Sequence, residues 1–172
     1  MKFAEQYYHV AQTVICKIVE TQMAALEKAS SMVADTIARD GIIYTLGSGH
    51  PLMVATELYY RAGGLANFDV IHDRTFGRAE RLTGYAKVLL ESYPVSPRDL
   101  LIVVSNSGRN CLPIEMELRK EIFNLRQLLN AAIDKETRRE LQRELNLLVL
   151  EFNVKQRRGV AFDLPQAGSE RA

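Results

Sequence analysis

The chain has 172 residues, of which 47% are hydrophobic and 25% are charged, so its composition argues against a wholly disordered protein. Its 22 Lys and Arg residues nearly balance 21 Asp and Glu residues. A net charge of +1 gives no global field that would concentrate nucleic acid or an anionic membrane surface, and we expect neither as a partner.

The sequence also does not predict a membrane-inserted or a secreted protein. The longest apolar runs, such as residues 100–104, are far too short to span a bilayer. Charged residues such as Lys2 and Glu5 interrupt the N-terminal segment, which does not fit a signal peptide. Cys16 and Cys111 are too few for a disulfide framework and lack metal-ligand spacing. The sequence therefore predicts a cytoplasmic protein with reduced thiols and no metal.

The first half of the chain begins with a predicted helix over residues 3–39. Apolar residues recur there at helical spacing, and neither Pro nor Gly interrupts them. One long helix and two helices breaking near residues 30–31 are both compatible with the pattern. A β-rich run at 42–46 then predicts a buried parallel strand. A Gly-Ser loop at 47–51 and a helix from about 52 to 61 follow it.

Two further strand and helix units are predicted after that. Residues 67–72 can form a second strand, which a polar loop connects to a helix near 80–92. Residues 100–104 form the clearest strand and lead into a second Ser-Gly loop, with a helix starting near Pro113. Because strands and helices alternate, we expect a parallel sheet with right-handed crossovers.

The sequence changes character after about residue 117. Residues 117–155 contain no Gly, no Pro and no strand-like run. Two apolar stripes at helical spacing are formed by Leu118, Ile122, Leu125, Leu129 and Ile133, and by Leu141, Leu145, Leu148 and Phe152. They predict a helical hairpin over 118–158, with one continuous helix as the alternative. Thr137-x-x-Glu140 resembles a capping box for the second helix, and 159–172 is predicted to be a disordered tail.

The two Gly-Ser loops, 47–50 and 105–110, share one design. Each follows a parallel strand and opens a helix, where unpaired N–H groups and the helix dipole favour an anion. Serine hydroxyls add further donors. Because the carboxyl ends of parallel strands lie at one edge of a sheet, we expect the loops to converge on one phosphate-sized anion. For either loop alone, a tight β-to-α turn is the alternative.

Four separated motifs carry a resemblance to a known family. They are Tyr44–His50, Glu57–Leu65, Glu80–Ala86 and Leu101–Asn110, in that order. Over about residues 1–116 the chain resembles the phosphosugar-binding SIS (sugar isomerase) domain family. The resemblance implies an α/β fold, here a truncated flavodoxin-like three-layer sandwich over 1–117 with a short parallel sheet. It also implies a sugar-phosphate ligand and no cofactor.

The resemblance also implies the roles of particular residues. In the family, serines of the second motif hold the phosphate, and the first loop contributes its serine and glycines. The positions so implied are Ser48, Gly49, Ser105, Ser107, Gly108 and Asn110. Many family members have Thr at the position of Asn110.

Two titratable residues are candidate catalytic groups. His50 could donate to the phosphate or move protons near neutral pH, and a helix-capping loop histidine is the alternative. Glu57 could face the sugar and carry protons in aldose–ketose isomerisation or a related lyase step, unless it is solvated or ion-paired. Asp73 and Arg74 could reach the sugar from the loop after the second strand, with a surface ion pair as the alternative.

The chain departs from the family pattern in ways that bear on its function. Pro51 stands where the family usually has Ser, and it removes one hydroxyl and one N–H donor from the phosphate loop. Where relatives continue with two more strand and helix units, this chain turns to charged helix. The third strand then lies near a sheet edge, and the long N-terminal helix is apolar, so we expect a homo-oligomer.

The hairpin has a weaker resemblance of its own. Residues 117–155 resemble small helical-hairpin phosphatases that act on aspartyl phosphates of sporulation response regulators. Gln142 and Asn146 stand where that signature has Ser and Asp. A generic amphipathic hairpin is the alternative. The sequence thus predicts sugar-phosphate binding, with isomerase or lyase activity, non-catalytic binding and hairpin docking on a protein partner left open.

Overall fold

The computed structural model describes residues 2–131 and 134–162, with side chains at all of these positions except 127, 129–131, 152 and 154–162. Eight elements follow one another along the described chain. They are α1 (Lys2–Ala38), β1 (Ile43–Gly47), α2 (Pro51–Tyr60), β2 (Phe68–Ile71), α3 (Tyr85–Glu91), β3 (Leu100–Val104), α4 (Cys111–Ala131) and α5 (Lys135–Phe162).

The three strands form one parallel sheet in the order β2-β1-β3. In the central strand β1, Ile43 is in register with Phe68 on one side and Leu100 on the other. The predicted parallel sheet is therefore confirmed. Both sequence loops follow strands that are direct neighbours, which places them at the same edge of the sheet.

Helices cover both faces of this sheet. Tyr44 and Leu46 point to one face and pack in a buried cluster with residues of α3 and α4, such as Leu89 and Met116. Thr45 points to the other face, because side chains alternate along a strand, and its hydroxyl donates to the Ala55 carbonyl of α2 at 2.9 Å. The predicted three-layer α/β sandwich, reduced to three strands, is confirmed.

The first helix is unusual in its exposure. Helix α1 is continuous over 37 residues, so the alternative of a break near residues 30–31 is wrong. Thr36, near its C-terminus, is its single buried residue among those described. Its exposed large apolar side chains are Phe3, Tyr7, Tyr8, Val10, Val14, Ile15, Ile18, Val19, Met23, Leu26 and Met32. Within one chain, almost the whole apolar surface of α1 is uncovered.

The hairpin is built from two helices, of which the first also belongs to the sandwich. Helix α4 packs against the sheet through Leu112 and Met116, and against α5 farther along. A second buried cluster joins the hairpin helices through Leu118, Ile122, Leu125, Leu145 and Leu148. The predicted division at residues 117 and 118 therefore falls inside one unbroken helix.

The ends of α5 differ from the sequence pattern. Asp134 is the residue that caps it, because its carboxylate accepts from the amides of Glu136 and Thr137 at 3.0 and 2.8 Å. The capping box expected at Thr137 is therefore wrong by three residues. The helix continues to Phe162, past the predicted end of the hairpin, and residues 163–172 of the predicted tail lie outside the described residues.

Within the described ranges, none of the helices combines the length and the apolar character that crossing a bilayer requires.

A buried carboxylate organises the loop after β2. The helix expected from about residue 80 begins only at Tyr85, because turns fill residues 73–84. Asp73 is 1% exposed and accepts five hydrogen bonds. The donors are the Ser48 hydroxyl at 2.9 Å, the Thr75 amide at 2.9 Å and hydroxyl at 2.6 Å, the Gly77 amide at 2.8 Å and the Tyr85 hydroxyl at 2.9 Å.

The same loop packs closely on the first Gly-Ser loop. A Cβ atom at Gly77 would lie 3.2 Å from the backbone nitrogen of Gly49, and φ at Gly77 is 86°. Both the close approach and the left-handed conformation require glycine. The Asp73 hydrogen bonds and this contact together fix the position of the 73–84 segment against the β1–α2 turn.

The hydrogen bonds keep Asp73 ionised despite its burial. Burial alone would raise the pKa of Asp73, but hydrogen bonds from Thr75, Gly77 and Ser48 outweigh it and lower that pKa below its ordinary value. A lowered pKa in the folded state means that the ionised carboxylate stabilises the fold at neutral pH.

We predict that Asp73→Asn lowers the free energy of unfolding at pH 7 by about 3 kcal/mol, because hydrogen bonds to a buried charge are lost. The stabilisation from Asp73 is complete above the ordinary Asp pKa of about 3.9 and disappears as pH falls through the lower folded-state pKa. Urea unfolding should therefore show that the difference in free energy of unfolding between the native protein and Asp73→Asn becomes smaller below about pH 4. Asp35→Asn, which changes an exposed carboxylate, is the control. A difference that stays constant down to pH 3 contradicts a stabilising ionised Asp73.

Candidate functional site

The two Gly-Ser loops meet at one cavity. It has a volume of about 190 Å³ and opens where β1 and β3 end. The first loop contributes residues 47–51 and the second contributes Ser105, Asn106, Ser107 and Asn110. Glu80 and the first turn of α4 complete the lining. The convergence expected from the two strand-to-helix turns is present in the structure.

The first loop is shaped by backbone crowding on one side and open space on the other. A Cβ atom at Gly47 would lie 2.3 Å from the carbonyl oxygen of Pro51, so this tight β-to-α turn requires glycine. Gly49 has a φ of 65° and would meet no atom within 4 Å if it carried a Cβ. The backbone at Gly49 is therefore open to close approach by a ligand.

The second loop leaves two serine hydroxyl protons available. The Ser105 oxygen accepts from the Gly108 amide at 3.0 Å, and the Ser107 oxygen accepts from the Arg109 amide at 3.3 Å. Neither hydroxyl donates a hydrogen bond to another group in the described part of the chain. Each oxygen is thus held in place by a backbone donor while its own proton can turn to an anion.

Ser48 has the opposite arrangement. It lines the cavity and is 9% exposed, but its hydroxyl donates to the Asp73 carboxylate. A hydroxyl has one proton to donate, so in this arrangement the Ser48 side chain cannot also donate to a phosphate. The geometry makes Ser48 the connection between the first loop and the buried carboxylate.

Two helices direct their N-termini to the cavity. Helix α2 begins at Pro51 and α4 begins at Cys111, next to Asn110 in the lining. Their dipoles place partial positive charge at this edge of the sheet. Pro51 has no N–H, and the Leu112 amide already donates to the Glu80 carbonyl at 2.9 Å. Donors for an anion are therefore the Ser105 and Ser107 hydroxyls and the loop amides other than those of Gly108 and Arg109, which donate to these two serines.

The described lining of the cavity contains no strongly basic residue. None of the described residues that line it is Lys or Arg, and its titratable residues are His50 and Glu80. Arg109 lies outside the lining and is exposed. In the part of the chain that the structure describes, no three His, Cys, Asp or Glu residues gather in a way that could hold a metal ion.

Of the two candidate catalytic residues, one lies at the cavity and the other does not. His50 is exposed and lines the cavity, and it makes no side-chain hydrogen bond that caps α2. Glu57 lies outside the cavity lining. Its side chain is 66% exposed and forms an ion pair with Arg61 at 3.5 Å. A single chain therefore does not bring Glu57 to the anion loops.

Two residues of the site are only weakly indicated by the sequence. For Asp73 the sequence predicts a sugar contact or a surface ion pair, and its near-complete burial excludes the surface alternative. Thr and Gly two and four positions after an Asp are typical of a loop folded around a carboxylate, and that signal is present in Asp73-x-Thr75-x-Gly77. Glu80 stands in one of the four motifs, and nothing local in the sequence indicates that it lines the cavity.

Comparison with known proteins matches residues 6–120 to the SIS domain family model. A UPF0309 protein of Streptomyces avermitilis is 33% identical over 73% of this chain and 54% of its own length. UPF0309 proteins of Halalkalibacterium halodurans and Listeria monocytogenes are each 36% identical, over 61% and 64% of this chain and 47% of their own lengths. The chain thus spans about half the length of the curated relatives it matches.

The family match includes the parallel sheet, both Gly-Ser loops and the start of α4. It agrees with the resemblance seen in the four sequence motifs. The chain belongs to the SIS domain family.

Proposed function

We propose that this chain binds a phosphorylated sugar in the cavity between the first and second loops. The observation that carries the proposal is the pair of available hydroxyl protons on Ser105 and Ser107 at the N-terminus of α4. Phosphate oxygens accept such hydrogen bonds, and two converging helix dipoles favour the negative charge. Membership in the SIS family supports the same ligand class.

Each loop has a defined part in this proposal. Ser105 and Ser107 donate their hydroxyl protons, and Asn110 completes the second side of the phosphate site. Gly108 lies outside the lining and its amide already donates to Ser105, so its part is to hold that hydroxyl in place. Gly49 offers its open backbone from the first side. Ser48 holds the first loop against Asp73 and contributes through the position of the loop.

Binding is supported more strongly than turnover. Aldose–ketose isomerisation moves a proton between neighbouring carbons and needs an acid–base group beside the sugar. His50 lines the cavity, whereas Glu57 is exposed and paired with Arg61. We therefore propose sugar-phosphate binding as the function of the single chain, and isomerase or lyase activity through His50 and Glu57 as a separate proposal.

We predict that a panel of hexose and pentose monophosphates raises the melting temperature, whereas the matching free sugars do not. A ligand present at about one hundred times its Kd adds roughly 2.7 kcal/mol, or about 5–10 °C for a chain of this size. Ser107→Ala removes one donor to a charged group, and its Kd should be weaker by about 10- to 100-fold.

The matched control for this experiment is Ser92→Ala. Ser92 is an exposed serine at the end of α3 whose hydroxyl donates to the Val88 carbonyl, away from the cavity. This variant should bind like the native protein. Equal weakening in both variants, or no response of the folded native protein to any sugar monophosphate, contradicts the proposal.

We further propose that two copies pair through α1. A seven-residue repeat runs along the helix, and its positions before the buried Thr36 are Tyr8, Ala11, Ile15, Ile18, Gln22, Ala25, Ala29 and Met32. Tyr8 and Ile15 are 58% and 60% exposed. An apolar seam of this length on an uncovered helix is typical of a surface that a second helix buries.

We predict that light scattering coupled to gel filtration gives twice the chain mass for the native protein. Ile15→Glu combined with Ile18→Glu should give a single chain, because charges in the seam would be buried by pairing. Glu20→Lys changes an exposed residue on the opposite side of α1 and should leave the mass unchanged. A native protein with the mass of one chain contradicts this proposal.

The cytoplasmic location of the protein stays a prediction.

The hairpin is a proposed interaction module. Gln142 donates to Asn146 at 2.9 Å on the exposed side of α5, so the two residues that replace Ser and Asp of the phosphatase signature bind each other. Leu147 and Leu150 are exposed on the same helix. We propose that the hairpin, residues 118–158, docks on a protein partner through this surface.

A further inference from the structure

We propose that Glu80 is the carboxylate that recognises the sugar hydroxyls and makes the cavity prefer a sugar phosphate to inorganic phosphate. This inference rests on the proposed function. It assigns to Glu80 a specificity-determining role that the sequence motifs alone do not indicate.

The backbone of Glu80 is tied to both phosphate loops. Its amide donates to the Gly77 carbonyl at 3.3 Å, and Gly77 packs against Gly49 in the first loop. Its carbonyl accepts from the Leu112 amide at 2.9 Å, at the start of the helix that follows the second loop. Glu80 is therefore held between the two loops by hydrogen bonds that do not involve its carboxyl group.

The anchoring extends to the buried core of the loop. Gly77 is itself held by its amide hydrogen bond to Asp73 at 2.8 Å. Ala79, which precedes Glu80, is buried and donates its amide to the Thr75 hydroxyl at 3.1 Å. A residue with this support has a defined place at the cavity, which a specificity-determining group requires.

The charge of Glu80 has two opposite effects on ligands. Glu80 is half-buried, and among the described residues that line the cavity it is the one with a carboxylate. With no Lys or Arg in that described lining to neutralise it, a carboxylate repels a small dianion such as phosphate. The same carboxylate accepts strong hydrogen bonds from sugar hydroxyls. A sugar phosphate offers several ring hydroxyls to the carboxylate, whereas inorganic phosphate offers at most its own P–OH protons and gains less from the second effect.

Glu57 is the competing carboxylate and differs from Glu80 in its place and exposure. It lies outside the lining, two thirds of its side chain is exposed, and it forms an ion pair with Arg61 at 3.5 Å. The position of Glu80 therefore favours it over Glu57 as the carboxylate that accepts hydrogen bonds from the sugar hydroxyls.

The test measures the Kd of inorganic phosphate and of the best sugar monophosphate for native protein and Glu80→Gln by titration calorimetry. The amide is similar in size but uncharged. We expect the ratio of the two Kd values to fall by about tenfold or more, because a charged acceptor is lost. We also expect inorganic phosphate to bind several-fold more tightly, because the repulsion is removed. Glu117→Gln removes the same charge from an exposed position on α4 and should change neither Kd.

A second variant covers the case in which Glu80→Gln fails to fold, which its melting temperature without ligand reports. Glu80→Asp keeps the charge but withdraws it by one methylene. We expect Glu80→Asp to bind inorganic phosphate as weakly as the native protein does. We also expect it to lose the preference for the sugar monophosphate, because the shorter side chain no longer reaches the sugar hydroxyls.

Three outcomes overturn the inference. In the first, both Glu80 variants keep the native preference for the sugar monophosphate over inorganic phosphate. In the second, Glu57→Gln loses that preference instead. In the third, Glu117→Gln changes the two Kd values as much as Glu80→Gln does. A native protein that binds neither ligand overturns the proposed function itself, and this inference with it. Because the native protein is measured first, that failure is distinct from a failure of Glu80 alone.

Discussion

The buried carboxylate of Asp73 is the constraint on which the site depends. It takes hydrogen bonds from the first loop through Ser48, from its own loop through Thr75 and Gly77, and from α3 through Tyr85. A carboxylate in this position is stable only while those donors stay in place. The loop geometry and the charge are therefore mutually dependent. The position of the cavity follows from both.

Much of the fold follows from local patterns, and much of the site does not. The strand at 100–104 is predicted at its observed bounds, because a short apolar run between turn residues has few other solutions. The convergence of the two loops follows from the geometry of parallel strands. In contrast, the burial of Asp73 and the position of Glu80 depend on a packing of residues 73–84 against Gly49 and Leu112. Hydropathy periodicity carries no information about such a contact between distant segments.

The small sheet explains why association matters for this chain. Strand β3 has β1 on one side, and the described residues place no strand on its other side. A three-stranded sheet buries less apolar surface than the sheets of larger domains, so each uncovered helix face has a larger share in stability. The same buried clusters that stabilise the sandwich leave α1 outside. Pairing through α1, as proposed, would add a core that a single chain lacks.

The continuity of α4 has a mechanical consequence. Its first turn borders the cavity between the two Gly-Ser loops, and its later turns form one half of the hairpin core. A helix of 21 residues is about 31 Å long and behaves as a rigid rod, so a tilt of about 5° at the cavity displaces the far end by about 3 Å. Because one unbroken helix joins the two places, any displacement of the cavity wall by α4 would also shift the packing of the hairpin at its far end.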